Sequence, residues 1–403
     1  MVSPANQGQD SSDQPSGARF PSALRDFLDT EIAGGVLLLS AAALALLWAS
    51  VAFGSYDSIW TAHFPGHPAR VGLPTNPRGL INQGLMTLFF FVVGLEIKRE
   101  LVSGELRDRR AAALPVLAAL GGMFLPAAIY LVMTRDAAGH GWGIPMATDI
   151  AFALGVLTMF GRGLPRGLRV LLLTLAVADD VGTLAVITIF YAASLRWLFV
   201  VAAILLLTAV GFLALRRRGS AALYIACGAG LWWLTFRSGV PPTIAGVALG
   251  LLVPAGVAII ERIEHSLHPW TSFVVLPLFA LANAGLPIVV GKIGAIAGSE
   301  VSLAVLTARI AGKLAGISLG AWIAVRLGIG VLPEDVRWRH VVALGCVASV
   351  GFTIPLFVTT LAFESPALMD DARAGIFLTT VFGFVVGGLA LRLAAQRARS
   401  PSA

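Results

Sequence analysis

The chain has 403 residues, of which 57% are hydrophobic and only 13% charged, with a formal net charge of +7. An average soluble domain carries roughly 25% charged residues, and a chain this apolar cannot cover itself with polar surface. The basic residues stand in short clusters between long apolar runs, which is the pattern of membrane topology and not of a nucleic-acid surface, so no nucleic-acid partner is expected.

Residues 1 to 31 are polar, rich in Ser, Gln, Asp and Gly, and lack a basic segment leading into a cleavable apolar stretch. They read as a disordered cytoplasmic tail, followed by a twelve-helix membrane unit over 32–393 and a short cytoplasmic C-terminal tail over 394–403. A hydrocarbon core about 30 Å thick takes roughly 20 residues of helix. Runs of that order lie near 32–53, 80–101, 111–134, 144–160, 168–191, 195–215, 219–236, 240–258, 268–288, 299–326, 340–363 and 373–393. The expected fold class is therefore all-α, a polytopic membrane protein of about twelve transmembrane helices with both termini on one side. With the N-terminus inside, the inner segments hold Lys98, Arg99, Arg107, Arg109, Arg110, Arg162, Arg166, Arg169, Arg216, Arg217, Arg218, Arg262, Arg326, Arg337, Arg339 and Arg392, among others. The outer segments keep only Arg70, Arg78, Arg135, Arg196, Arg237, Lys292 and Arg373, so the positive-inside rule puts both termini on the cytoplasmic side of the membrane. The connection over 54–79, studded with Gly66, Pro68, Gly72, Pro74 and Pro77, reads as turns or a small hairpin, either a spacer or a homodimer contact. Cys227 and Cys346 fall inside apolar runs and form no disulfide or zinc pattern.

Asp149, Asp179 and Asp180 are carboxylates deep in the spans, with Glu96 and Glu100 near the inner end of the second; Arg309 and Lys313 are the matching cations. Each such group near a helix centre costs roughly 2.5 to 3.5 kcal/mol on insertion, a penalty that folding alone does not require. Asp180 and Lys313 lie near the middle of their spans, at depths that let them share one site. Neighbours on a helix point about 100° apart, so of Asp179 and Asp180 one is expected to face an ion path and the other a neighbouring helix. Pro145 just before Thr148 and Asp149, and the stretch Gly351, Phe352, Thr353, Ile354, Pro355, interrupt the fourth and eleventh runs, which run in opposite senses. Paired interruptions are the mark of an inverted-repeat transporter, with Asp149 placed to balance positive helix N-termini.

At these residues the chain resembles the NhaA-type sodium/proton antiporter family. The resemblance rests on GLEIKREL at 94–101, ATDIAFALGVL at 147–157, LAVADDVGTLAVITIFY at 175–191, EHSLHPW at 264–270, LPLFALANAG at 276–285, GKLAGISL at 312–319 and GFTIPLFVTTLAF at 351–363. It implies inverted repeats with two broken crossing helices, and a transporter rather than an enzyme, with no cofactor. It also implies that Asp179 and Asp180 carry the transported Na+ and the protons, Asp180 as the main ligand, with Thr148 and Asp149 beside the crossing and Lys313 paired with Asp179 when sodium is absent. Glu96, Arg99, Glu100, Glu264, His265 and His268 match the region tied to pH activation. Export of Na+ and Li+ against two H+, electrogenic and pH-regulated, is the expectation. Two departures, Gln83 where the family commonly has an acid and Pro241 where it often has a histidine, bear on the pH profile.

Carboxylate oxygens suit a hard cation and also take a proton, so sodium and protons compete for one site. An intramembrane aspartyl protease would need acids converging from separate helices, which adjacent Asp179 and Asp180 do not supply. A symporter or a channel also uses intramembrane acids and is separated from an antiporter by the sign of sodium-driven proton flux. The cluster Glu261, Glu264, His265 and His268 has helical spacing that a metal can use, but a juxtamembrane sensory turn explains it better.

Overall fold

In hydrocarbon every backbone polar group needs a partner within its own segment, which makes helix the conformation of the apolar runs. The computed structural model describes residues 22–66, 68, 72–161, 163–192, 195–216, 221–253, 257–288 and 293–399, and no strand occurs among them. In chain order the helices are α1 (Ser22–Val51), α2 (Phe53–Thr61), α3 (Pro77–Ser103), α4 (Arg109–Met133), α5 (Ile150–Phe160), α6 (Arg166–Phe190), α7 (Trp197–Leu215), α8 (Ala221–Ser238), α9 (Thr243–Leu252), α10 (Val257–Trp270), α11 (Leu276–Asn283), α12 (Glu300–Arg326), α13 (Trp338–Ala348), α14 (Thr353–Ala362) and α15 (Pro366–Arg399).

Every one of the twelve expected spans contains helix. Among the described residues, seven helices are long and apolar enough to cross a bilayer, and α13 with α14 forms an eighth, broken and bent by 51°. Of the rest, α5 and α9 are short apolar helices, and α8 is an unbroken helix of 18 residues. Two boundaries move. Residues 22–31, expected in a disordered tail, are the first turns of α1, and residues 394–399, expected in the C-terminal tail, continue α15. In both places apolar residues recur at helical spacing among the polar ones, as in Leu24, Phe27, Leu28 and Ile32, so the helix extends past the hydrocarbon-length run. Residues 1–21 and 400–403 lie outside the described residues.

The bundle reverses the distribution of a soluble core. Leu198, Leu205 and Leu215 of α7 are 78%, 65% and 87% exposed, while Arg309 and Lys313 of α12 are wholly buried. An apolar exterior around buried charge is stable only where lipid replaces water.

Glycines set the closest helix contacts. A Cβ on Gly316 of α12 would sit 2.1 Å from the Gly121 carbonyl oxygen of α4, and one on Gly320 2.1 Å from the Leu117 oxygen. Helix backbones touch there, as small residues allow in membranes. This contact presses α12 into the bundle one turn from Lys313. Within α12 the turn Ala308–Gly312 is a π-helix, an extra-residue widening that often marks a functional site.

Candidate functional site

The site forms where two interrupted segments cross. Residues 147–149 leave helical geometry before α5, whose N-cap Asp149 is extended at φ −104° and ψ 110°. Opposite it, α13 stops at Ala348 and α14 restarts at Thr353. Pro355 in the first turn of α14 suits the restart, since its missing N–H would have had no intrahelical acceptor. The two breaks touch through backbone: the Thr148 hydroxyl donates to the Ala348 carbonyl at 3.2 Å, and the Asp149 N–H to the Val350 carbonyl at 3.5 Å.

Two opposite charges answer the helix ends. Asp149 is the N-cap residue of α5, and its Oδ2 also accepts from the first N–H of α14, Thr353, at 3.2 Å, and from the Thr353 hydroxyl. The carboxylate thereby answers the positive end of α14, while it makes no side-chain cap bond to α5 itself. Arg309 of α12 answers the carbonyl ends. Its Nε and Nη2 donate to the Ser349 oxygen at 3.3 and 3.1 Å, and its Nη1 to the Ile144 and Ala147 oxygens at 3.3 and 3.0 Å. Gly351 makes room for this, because a Cβ there would lie 2.2 Å from Nη2.

The adjacent aspartates of α6 divide as their 100° separation requires, to within about a quarter turn. Asp179 faces the crossing and α12: its Oδ2 accepts from the Thr148 N–H at 2.7 Å and from Lys313 Nζ at 2.8 Å, in a fully buried ion pair. Lys313 Nζ also donates to the Thr148 hydroxyl at 2.9 Å. Asp180 faces a narrow cavity of about 70 Å³, shared with Glu96, Thr148, Asp149, Glu264, His268 and Thr353. The Oδ1 atoms of Asp179 and Asp180 have no hydrogen-bond partner. The Asp180 oxygen at this acid-lined cavity, with the open Asp179 oxygen one residue away, can take up a hard cation or a proton.

Of the residues expected near the mouth, Glu264 and His268 are one helical turn apart on α10 and line the cavity, and Arg99 pairs with Glu264 at 3.3 Å. Burial pushes the Glu264 carboxyl above the ordinary glutamate range, against the pull of Arg99 and His268. Glu100 and His265 are not brought to the cavity. Glu100 faces a separate recess with Arg107 and Asp108, its Oε2 accepting from the Glu105 N–H at 3.2 Å, and His265 is on the exposed face of α10. Among the described residues no three His, Cys, Asp or Glu side chains gather as a metal site. Gln83 lies in the π turn Ile81–Leu85 of α3, its carbonyl bonded to Trp232 and Thr87, and Pro241 at the start of α9; neither lines the cavity. The roles of Arg309 and Thr353 went unassigned in the sequence, where Arg309 stood only as a second cation four residues before Lys313.

A family model described as Na+/H+ antiporter 1 matches residues 25–391. A Na(+)/H(+) antiporter NhaA from Acidovorax sp. (strain JS42) is 44% identical over 375 residues, covering 89% of this chain and 88% of that relative. A Na(+)/H(+) antiporter NhaA 1 from Klebsiella pneumoniae subsp. pneumoniae is 41% identical over 382 residues, covering 92% of this chain and 96% of its own length. A Na(+)/H(+) antiporter NhaA 3 from Frankia alni is 40% identical over 412 residues, covering 93% and 89%.

Proposed function

This chain belongs to the Na+/H+ antiporter 1 family, and we propose that it exports Na+, and also Li+, in exchange for H+ at Asp179 and Asp180, working in a bacterial inner membrane with both termini in the cytoplasm. The observation that carries this reading is the cavity that ends on Asp180 beside an Asp179 paired with Lys313 at 2.8 Å. Sodium entering along Glu264, Glu96 and Asp149 meets the Asp180 carboxyl, whose proton it replaces. When it engages Asp179 as well, through the open Oδ1, its positive charge competes with the Lys313 ammonium held on Oδ2 and loosens that pair. The released ammonium loses its carboxylate and gives up a proton. Two protons then leave for each sodium bound, the cycle moves one net charge, and the membrane potential drives it by about 2.3 kcal/mol per 100 mV. Rocking of the crossing segments against the rest carries the loaded site from one face to the other. Glu96, Arg99, Glu264 and His268 at the cavity mouth, with Glu100 and His265 nearby, supply the pH regulation, and the unit works as a homodimer.

Two measurements test this. Asp180→Asn should insert normally and abolish sodium-driven proton release from acid-loaded everted vesicles, because an amide neither binds nor releases a proton there. Sodium-driven flux at the wild-type rate in that variant would refute the site. Lys313→Gln in proteoliposomes at clamped potential should exchange without voltage dependence. Unchanged voltage dependence in a stable variant would mean that the two aspartates carry both protons.

A further inference from the structure

We infer that Thr183 is a third ligand of the transported cation, a neutral hydroxyl oxygen beyond Asp179 and Asp180 on α6. This rests on the exchange reading above. Successive residues of a helix turn about 100° and rise about 1.5 Å, so Thr183 stands about 40° around and about 6 Å along from Asp179, and about 60° around and about 4.5 Å along from Asp180. It points between their two directions, about one turn past the only α6 residue that the cavity touches among those described, Asp180.

The side chain is 1% exposed, and its hydroxyl has no hydrogen-bond partner. A threonine inside a helix ordinarily gives its hydroxyl to the carbonyl four residues earlier. The other two threonines of α6 do so, Thr174 to Val170 at 3.0 Å and Thr188 to Leu184 at 2.6 Å. Thr183, between them, does not. Its unmet oxygen therefore joins the Oδ1 atoms of Asp179 and Asp180, also without partners, as three buried acceptors within about a turn and an arc of about 100° of one helix, Thr183 between the two carboxylates. Buried polar atoms left open call for an explanation, and at three neighbouring positions beside the acid-lined cavity one shared cation supplies it. A hard monovalent cation collects oxygens of any charge, and a hydroxyl adds one without adding negative charge, so it favours the cation over the proton that competes for the carboxylates.

The test compares the full chain with Thr183→Ala, Thr183→Val and Thr183→Ser in proteoliposomes, reading KM and kcat for Na+ in sodium-driven proton flux. Alanine and valine both lack the oxygen, and valine keeps the shape; serine keeps the oxygen and drops the methyl. The expected result is a KM for Na+ raised about fivefold or more in the Ala and Val variants, with kcat held, and a KM near wild type for Ser, the effect of one lost oxygen contact. An unchanged KM in a hydroxyl-free variant overturns the assignment while leaving the exchange reading intact. A KM raised as much by Ser as by Val also overturns it, since packing would then be the cause. Absence of sodium-driven flux in the wild type overturns both readings.

Discussion

Replacing Arg309 by Gln should unfasten the crossing. The guanidinium is wholly buried and supplies the donors for three carbonyl oxygens, Ser349, Ile144 and Ala147, which belong to both interrupted segments. A hydrogen bond from a charged donor contributes about 1.5 to 3 kcal/mol, so the three acceptors together represent roughly 4 to 9 kcal/mol. Removing the buried charge also removes its desolvation cost, several kcal/mol in real proteins, which leaves a net loss of about 1 to 5 kcal/mol. That is a large share of a total stability of about 5 to 15 kcal/mol. Glutamine can satisfy one carbonyl and cannot span both segments. Lysine keeps the charge but concentrates its donors at one point, so Arg309→Lys should fall between the two. Thermal melting of the detergent-purified protein, read beside sodium-driven proton flux, checks the order wild type, Lys, Gln in both quantities. An Arg309→Gln protein that melts and exchanges like wild type would refute the assignment of this side chain to the crossing.

Two further outcomes follow from packing and from charge. Gly316→Val should cost about 3 kcal/mol, because its Cβ would lie 2.1 Å from the Gly121 oxygen, and the enforced separation of α4 from α12 should weaken the Lys313–Asp179 pair; a melting temperature and exchange rate at wild-type values would show that the helices part freely. For Glu264 the folded protein holds the proton more tightly than the unfolded chain does, so as pH rises from the ordinary glutamate value through the raised one the unfolded state ionises first and folding stability falls. Glu264→Gln removes that fall, so the melting temperature of the variant relative to wild type should climb as pH rises above the ordinary glutamate value, and a difference that stays constant with pH would contradict the burial of the carboxyl.

The sequence made the spans legible because hydrocarbon thickness and backbone hydrogen bonding leave the chain few choices, and the intramembrane acids legible because their insertion cost demands a purpose. The divided facing of Asp179 and Asp180 followed from helix geometry alone. Partners were harder to read. Thr353 and Arg309 bond across the crossing, at separations of 204 residues to Asp149 and 162 to Ala147, and nothing local in GFTIP or ARIAG announces those contacts. His265 shows the converse limit. Its neighbours Glu264 and His268 are an i, i+4 pair on the cavity face, and one residue of offset turns His265 about 100° away. The helical ends at Ser22 and Arg399 escaped because the hydrophobic criterion measures the bilayer, and a helix continues past the bilayer wherever its residues permit.

In the exchange cycle proposed above the two cations of α12 have unlike tasks, and their chemistry matches the division. Helix ends at the crossing keep their partial charges through a whole transport cycle, so the group that answers the carbonyls must stay charged, and its planar fork must reach both segments. Arginine does this, since it holds its proton at any working pH and presents donors in several directions. A group that pairs with Asp179 and yields to sodium must instead release its proton, and lysine is the side chain whose ionisation responds to its surroundings. Had one cation served both ends, each sodium that discharged it would also have stripped the crossing of its compensation. With Arg309 on Ser349, Ile144 and Ala147 and Lys313 on Asp179 and Thr148, proton release at the second leaves the first untouched. The π turn between them supports this arrangement, because it widens the helix at Ala308–Gly312 and lets side chains four residues apart address two different targets.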